Sequence, residues 1–286
     1  MPAPPDLSVP PLSGAVSACQ ARRLVPREIV AVEIFVVPTP AATGSVAAGI
    51  LAAVVRSKPD AVLGLATGGS PLPVYRALAE HSVDMGAVRG FALDEYVGLP
   101  AGHPESYAEV VRREVTERLG LDPARVSVPD GGAPDPEQAA ADYDAAISRA
   151  GGVDVQILGI GHNGHIAFNE PGSALDSRTR VENLADRTRE ANARYFASLA
   201  DVPTQCITQG LGTIMEARHL LLVVNGADKA GVLAAALQGP VTTDCPASVL
   251  QRHPHVTVVA DEAAASKLLP GSGGVNVRVA DTAVGV

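Results

Sequence analysis

Residues 153–171 read Val-Asp-Val-Gln-Ile-Leu-Gly-Ile-Gly-His-Asn-Gly-His-Ile-Ala-Phe-Asn-Glu-Pro. The opening six make a short apolar run with a single charge, the pattern of a strand buried on both faces. The glycine-rich stretch after it decides the fold. Gly159, Gly161 and Gly164 match the spacing GxGxxG, which after a strand would open a helix whose positive end holds a dinucleotide pyrophosphate. Asn169-Glu170-Pro171 interrupt any such helix, so we read a loop rich in hydrogen-bonding groups and no dinucleotide site.

Working outward, similar apolar runs recur at Ile29–Val37, Ala61–Ala66, Arg89–Leu93, His219–Val224 and His255–Ala260. Between them lie helical stretches: Thr43–Arg56 with a cap at Thr43 or Ser45, Pro104–Leu119, Pro136–Arg149, Ala227–Leu237 and Glu262–Leu268. Strand–helix alternation predicts an α/β domain, a mainly parallel sheet with helices on both faces. Residues 1–27 read as a flexible Pro/Ala-rich tail, residues 28–270 as one domain without repeat or linker, and residues 271–286 as a Gly- then Val-rich tail or one last edge strand.

Composition sets the outer limits. With 286 residues, 47% of them hydrophobic, the chain can bury an extended core and is not a disordered polymer. Twenty-two basic against 31 acidic residues give a net charge of −9 and no basic run, so no nucleic-acid partner is expected. Aromatics make up only 3% and tryptophan is absent, leaving few stacking platforms for single strands. Apolar runs such as Leu220–Val224 are far too short to cross a bilayer. Three cysteines, Cys19, Cys206 and Cys245, fit neither a disulfide framework nor metal-ligand spacing. A cytoplasmic, reducing compartment and no membrane partner are expected.

Ligands of such sheets bind beyond the carboxyl ends of the strands, at loops. Thr67-Gly68-Gly69-Ser70 follows one strand and precedes Pro71; Ser70 reads as a helix cap, and the loop's amides as an anion cradle or simply a tight turn. Asp94-Glu95-Tyr96 closes another strand, where a carboxylate can be a general base or part of a solvated turn. A polar cluster, Gly102 to Tyr107, lies just downstream. In the 159–171 loop, His165 with Glu170 beside it suggests acid–base work; a metal held by His162 and His165 finds no further ligand by spacing. Arg178, Arg180, Arg187, Arg189 and Arg194 would ordinarily make a solvated face, whereas Lys229, at a helix start after a strand, can reach an oxyanion in the same crevice.

Taken together, Leu65-Ala66-Thr67-Gly68-Gly69-Ser70-Pro71, Leu93-Asp94-Glu95-Tyr96-Val97-Gly98-Leu99, His103-Pro104-Glu105-Ser106-Tyr107, Gly164 to Pro171, Ser177-Arg178-Thr179-Arg180 and Thr208 to Thr213 resemble the glucosamine-6-phosphate deaminase family. The likeness runs from about Ile29 to Leu268. It implies a Rossmann-like sheet without a dinucleotide, no cofactor and no metal, and an aldose–ketose isomerisation coupled to deamination, giving fructose 6-phosphate and ammonia. By position, it implies Asp94 as the base that shuttles the C2 proton, His165 as the ring-opening group and Glu170 as its partner. Thr67, Gly68, Gly69, Ser70, Arg194 and Lys229 would bind the sugar phosphate, with residues 178–194 in or beside a mobile lid. Asn163 stands where many members carry an acid and others Asn, which removes a carboxylate from the relay. Glu182 and Asn183 replace the Lys and Thr of allosterically activated members, which argues against an effector phosphate there. A homo-oligomer is compatible with the family, but the aromatic and basic C-terminal segment of many members is missing after Leu269. A related amino sugar phosphate such as galactosamine 6-phosphate, a 6-phosphogluconolactonase-like hydrolysis, and a sugar-phosphate-binding regulator without chemistry are the alternatives.

Overall fold

The computed structural model describes residues 32–269 and the strand at 275–279. The expected N-terminal tail, the beginning of the first run and Cys19 lie outside these residues. Eleven strands are present among them: β1 (Val32–Val37), β2 (Val62–Leu65), β3 (Arg89–Ala92), β4 (Asp94–Tyr96), β5 (Val126–Ser127), β6 (Val155–Leu158), β7 (Arg180–Asn183), β8 (Gln205–Thr208), β9 (Leu220–Val224), β10 (Val256–Asp261) and β11 (Val275–Val279). Eight form one sheet in the order β11-β1-β10-β9-β6-β2-β3-β5. Every pairing in it is parallel.

The central strands explain why. Every residue of β2, β6, β9 and β10 is buried, which requires helices over both faces and therefore crossover connections between parallel strands. The helix Pro40–Ser57 is the longest of these covers. The Thr39 side chain accepts a hydrogen bond from the Ala42 amide at 3.2 Å and Pro40 starts the helix, so the cap lies a few residues before the expected Thr43 or Ser45. By length and composition this helix is apolar enough to span a bilayer, but Thr43, Gly44, Ala47, Ala48, Leu51, Ala52 and Val55 are buried within the fold. The helix Pro136–Arg149 has the bounds read from sequence and is capped by Asp135, which accepts from the Gln138 amide.

The chain departs from β2 in two directions: β3 and β5 lie on one side, β6, β9 and β10 on the other. The switch point between β2 and β6 is where such sheets open a crevice.

Three features differ from the sequence reading. Strands β4, β8 and β7 form a second, antiparallel sheet in that order, with Asp94 opposite Thr208 and Arg180 opposite Thr208 on the other side. Strands this short give no usable periodicity. The segment expected as a helix from Pro104 starts at Tyr107, capped by Ser106, and is interrupted by a π-helical turn at Arg112–Thr116. Finally, of the two readings of residues 271–286 the edge strand is found, Val275–Val279 pairing in parallel with β1, so the sheet continues past the expected bound at residue 270.

Candidate active site

A cavity of about 560 Å³ opens at the carboxyl ends of β2, β3, β6 and β9, and its walls include Thr67, Gly68, Gly69, Ser70, Asp94, Asn163, His165, Arg194 and Lys229. The segments singled out from sequence thus meet in one place. Glu170 stands behind His165 and is reached through it.

Asp94 begins β4, directly beyond β3, and is 8% exposed. No side chain or amide of the described residues hydrogen-bonds its carboxylate. Burial, helped by the neighbouring Glu95 charge, raises its pKa from 3.8 to about 8. The dryness has a visible source. Tyr96 stacks on Tyr107 with ring centroids 4.9 Å apart, and Phe168 and Phe196 pack at their sides. The chain holds only four Phe and five Tyr in all, and these four of them gather beside the carboxylate. Sequence reading passed over this wall because the aromatic fraction is low. The signal was local: Tyr96, Tyr107 and Phe168 each lie inside a motif already singled out.

Glu95, paired with Asp94 in the sequence, faces elsewhere. Its Oε1 accepts from the Tyr96 and Tyr107 amides at 2.7 and 2.9 Å, and its Oε2 from the Ala108 amide at 2.8 Å. It holds the start of the helix at Tyr107, where a carboxylate satisfies amides with no partner inside the helix.

The 159–171 loop owes its glycines to packing. A Cβ on Gly161 would lie 2.2 Å from the His165 ring, and one on Gly164 would lie 2.7 Å from Cys245 Sγ. The spacing that imitates a dinucleotide motif therefore makes room for an imidazole and a sulfur. Ala167, lining the cavity, has φ 51°, the left-handed region that a non-glycine residue rarely enters. Asn169 pins the loop from below: its Nδ2 donates to the Ile166 and Gln209 carbonyls at 3.0 and 2.8 Å, and its Oδ1 accepts from Arg180 Nη1 at 2.9 Å.

Around Glu170 three groups converge. Asn163 Nδ2 donates to Oε2 at 2.5 Å, the Thr188 hydroxyl donates to Oε1, and His165 Nδ1 lies 3.5 Å from Oε1, too long for a formed hydrogen bond. Burial pushes this carboxyl up, but His165, Thr188 and Asn163 together outweigh it and draw the pKa down to about 2.

The cavity wall also carries the 67–70 loop and two cations, Lys229 and Arg194. Gly68 has φ 99°, and the Gly68 and Gly69 Cα positions face open space. Ser70 is not the helix cap: Pro71 occupies that position without a side-chain cap, and Leu72 N donates to Gly68 O at 3.2 Å. The Ser70 hydroxyl is left on the cavity wall. Lys229 stands at the start of the helix Ala230–Gln238; burial lowers its pKa, against the pull of Asp228. Arg194 is exposed at the rim, hydrogen-bonded to the Tyr195 hydroxyl at 2.8 Å and 4.7 Å from that ring's centre. His162 pairs with Asp228 at 2.6 Å.

Residues 184–204 form the tip of the β7–β8 hairpin and overhang the cavity with Arg187, Thr188, Asn192 and Arg194. Arg178 and Arg180, expected with them, are structural instead. Arg178 is clamped between Asp144 and Glu216, and Arg180 between Asn169 and Glu182. Arg189 also turns inward, donating to the Leu199 and Val202 carbonyls at 3.2 Å.

A cavity at the switch point of a parallel sheet, lined by a buried carboxylate and by cations, defines a Rossmann-like α/β enzyme. A family model described as glucosamine-6-phosphate isomerases/6-phosphogluconolactonase matches residues 40–259, and the chain belongs to that family. A glucosamine-6-phosphate deaminase from Pseudarthrobacter chlorophenolicus is 58% identical over 228 residues, which are 79% of this chain and 88% of that protein. One from Streptomyces coelicolor is 54% identical over 241 residues, covering 82% and 92%. Among solved structures, a monomeric glucosamine-6-phosphate deaminase superposes with a TM-score of 0.80 at 39% identity, covering 82% of this chain and 99% of that one. A 6-phosphogluconolactonase from Trypanosoma cruzi superposes at 0.66 with 23% identity over 83% and 97%, a likeness of fold alone.

Proposed function

We propose that this enzyme converts glucosamine 6-phosphate and water into fructose 6-phosphate and ammonia. One observation carries the reading: Asp94, a buried carboxylate with no hydrogen-bond partner among the described residues, opens onto the same cavity as His165, and the Gly68–Ser70 loop and Lys229 on its wall suit a phosphate. A lactone hydrolase breaks no C–H bond and calls for no carbon base.

The phosphate dianion takes the Thr67–Ser70 loop, where amides and the free Ser70 hydroxyl can donate, and is charge-paired by Lys229 with Arg194 at the rim. Binding energy gathered there, away from the reacting carbons, positions C2 over Asp94. His165, its ring fixed against Gly161, takes and returns the proton that opens the pyranose. Asp94 then removes the C2 proton; the C–H electrons form the C1=C2 double bond of an enolamine as the C1=O π electrons move to O1, which takes a proton. Returning that proton to C1 leaves an imine at C2. Water adds to C2, ammonia departs and the ketose remains. Glu170 orients His165 and stabilises its charged form, with Asn163 fixing the carboxylate. Residues 184–204 cover the imine until the proton transfers are complete. All these groups come from one copy of the chain, and the reaction calls on no redox partner. The unpaired thiols of Cys206 and Cys245 agree with a reducing, cytoplasmic setting.

The test is ammonia release from glucosamine 6-phosphate, run beside galactosamine 6-phosphate and beside acid release from 6-phosphogluconolactone. Turnover of the first with little of the third supports the assignment. Acid release from the lactone without ammonia from either amino sugar overturns it.

A further inference from the structure

Asp94 is a base without a counter-charge. Its carboxyl is buried, lines the cavity and takes no hydrogen bond from the described residues. A lone buried charge is costly, and a buried polar group left unsatisfied calls for a reason. The titratable groups that interact with this carboxyl come from every element packed on it: Glu95 and Tyr96 on its own strand, Tyr107 and Tyr143 on two helices, and Cys206 on β8. Burial holds the three phenols and the thiol in their neutral forms, and Glu95 repels. None of the cavity's cations, Lys229, Arg113, Arg187 and Arg194, is among them, nor is His165, which faces Glu170. Tyr96, Tyr107 and Phe168 line the cavity with the carboxyl, and aromatic faces attract a cation where they offer a hydroxyl little.

The reacting carbon brings what is missing. To take the C2 proton, a carboxylate oxygen must approach that carbon to about 3–3.5 Å, and the nitrogen of a 2-amino sugar is bonded to the same carbon. We propose that Asp94 and the aromatic wall form the subsite for the substrate's C2 ammonium, so that an amino sugar phosphate carries its own counter-charge to the base while a 2-hydroxy sugar phosphate leaves the base idle. This rests on the deaminase reading above and deepens it, from which atom Asp94 attacks to how the site tells an amine from a hydroxyl. In the free enzyme Asp94 keeps its proton up to about pH 8. An ammonium held against it favours the carboxylate, so the proton leaves for solvent and the base is ionised in the complex at pH 7. With a hydroxyl at C2 no such charge arrives, and the carboxyl stays protonated and unable to accept the C2 proton. As that proton passes to Asp94, one ammonium proton passes to O1, and both charges vanish in the neutral enolamine.

The experiment compares full-length wild type and Asp94→Asn with two unreactive hexitols, 2-amino-2-deoxyglucitol 6-phosphate and glucitol 6-phosphate, which differ only at C2. Calorimetry at pH 7 in two buffers of different ionisation enthalpy reads both the affinity and the protons exchanged. The wild type should bind the amino compound about ten- to a hundredfold more tightly, the scale of a hydrogen bond between charged groups. It should also release about one proton more than with glucitol 6-phosphate; the phosphate, common to both, cancels. Asp94→Asn should bind the two within about threefold of each other, the charged bond being gone, with no difference in protons. With glucosamine 6-phosphate and the wild type, the acid limb of kcat should lie at least about one pH unit below that of kcat/KM, because only the complex holds the ammonium. Equal wild-type affinities, an amino preference that survives in Asp94→Asn, or amino binding without proton release each overturn the subsite, and the wild-type comparison stands alone if the variant does not fold. A wild type that releases no ammonia from glucosamine 6-phosphate overturns the functional reading instead, while the hexitols still test the subsite.

Discussion

Replacing Asp94 by asparagine should make the protein more stable and catalytically inert, and both effects come from one number. The carboxyl is held at about 8 in the folded chain against 3.8 in the open. Below pH 3.8 both states carry the proton and nothing is gained or lost. Between 3.8 and about 8 the unfolded chain ionises and the folded one does not, so the folded state loses stability as pH rises, by about 1.4 kcal/mol per unit. At pH 7 the loss amounts to on the order of 4 kcal/mol, and it levels off above pH 8. An amide of the same shape has no proton to lose. Asp94→Asn should thus match the wild type near pH 4 and pull ahead steadily, reaching a Tm roughly 8–16 °C higher at pH 7.5. Thermal unfolding followed by circular dichroism suits a chain without tryptophan. Ammonia release from the same samples should fall by about a thousandfold or more in kcat, the scale of a lost general base. In the wild type, kcat/KM should climb toward pH 8 as the free enzyme's carboxylate ionises. A stability difference that stays flat from pH 4.5 to 7.5, or a kcat within tenfold of wild type, would refute the reasoning, because the carboxyl would then be neither dry nor the base.

Three further substitutions probe the rest of the cavity. Lys229→Ala should raise KM for glucosamine 6-phosphate about ten- to a hundredfold with a much smaller change in kcat, the expected loss for a charge-assisted phosphate contact; steady-state kinetics decide it, and an unmoved KM places the phosphate elsewhere. Gly161→Ala puts a methyl group where the His165 ring lies, so kcat should drop by about two orders of magnitude while circular dichroism reports an intact fold. Asn163→Asp sets a carboxylate against Glu170 Oε2 in place of an amide donor at 2.5 Å. One of the two must then hold a proton, Glu170 rises from about 2, and the acid limb of the kcat–pH profile should move upward.

The parallel sheet could be read from the chain because its central strands are apolar on both faces, a pattern that survives in one dimension. The cavity could be read because its parts fall at strand ends, as with Thr67 after β2, Asp94 after β3 and Lys229 after β9. What escaped depended on pairings between distant segments. Glu95 looks like a twin of Asp94 until the Tyr107 and Ala108 amides are brought to it. Arg178 and Arg180 look like their neighbours Arg187 and Arg194 until Asp144, Glu216 and Glu182 claim them. Ser70 has every local attribute of a helix cap, yet the turn closes through Gly68 and frees its hydroxyl. The antiparallel sheet rests on three- and four-residue strands whose partners are more than a hundred positions apart in the case of β4 and β8.

That small sheet has an evolutionary consequence. The hairpin whose end roofs the cavity is rooted in β7 and β8, and β8 is laced to the strand bearing Asp94. Residues between Leu184 and Thr204 can therefore be lengthened, shortened or exchanged as a cassette, because Leu184 N still donates to Thr204 O at 2.9 Å and closes the graft. Any such exchange also rewrites part of the floor, because Thr188 donates to Glu170 and Asn192 to the Tyr96 hydroxyl, so new roofs and the proton-transfer groups beneath them must change together.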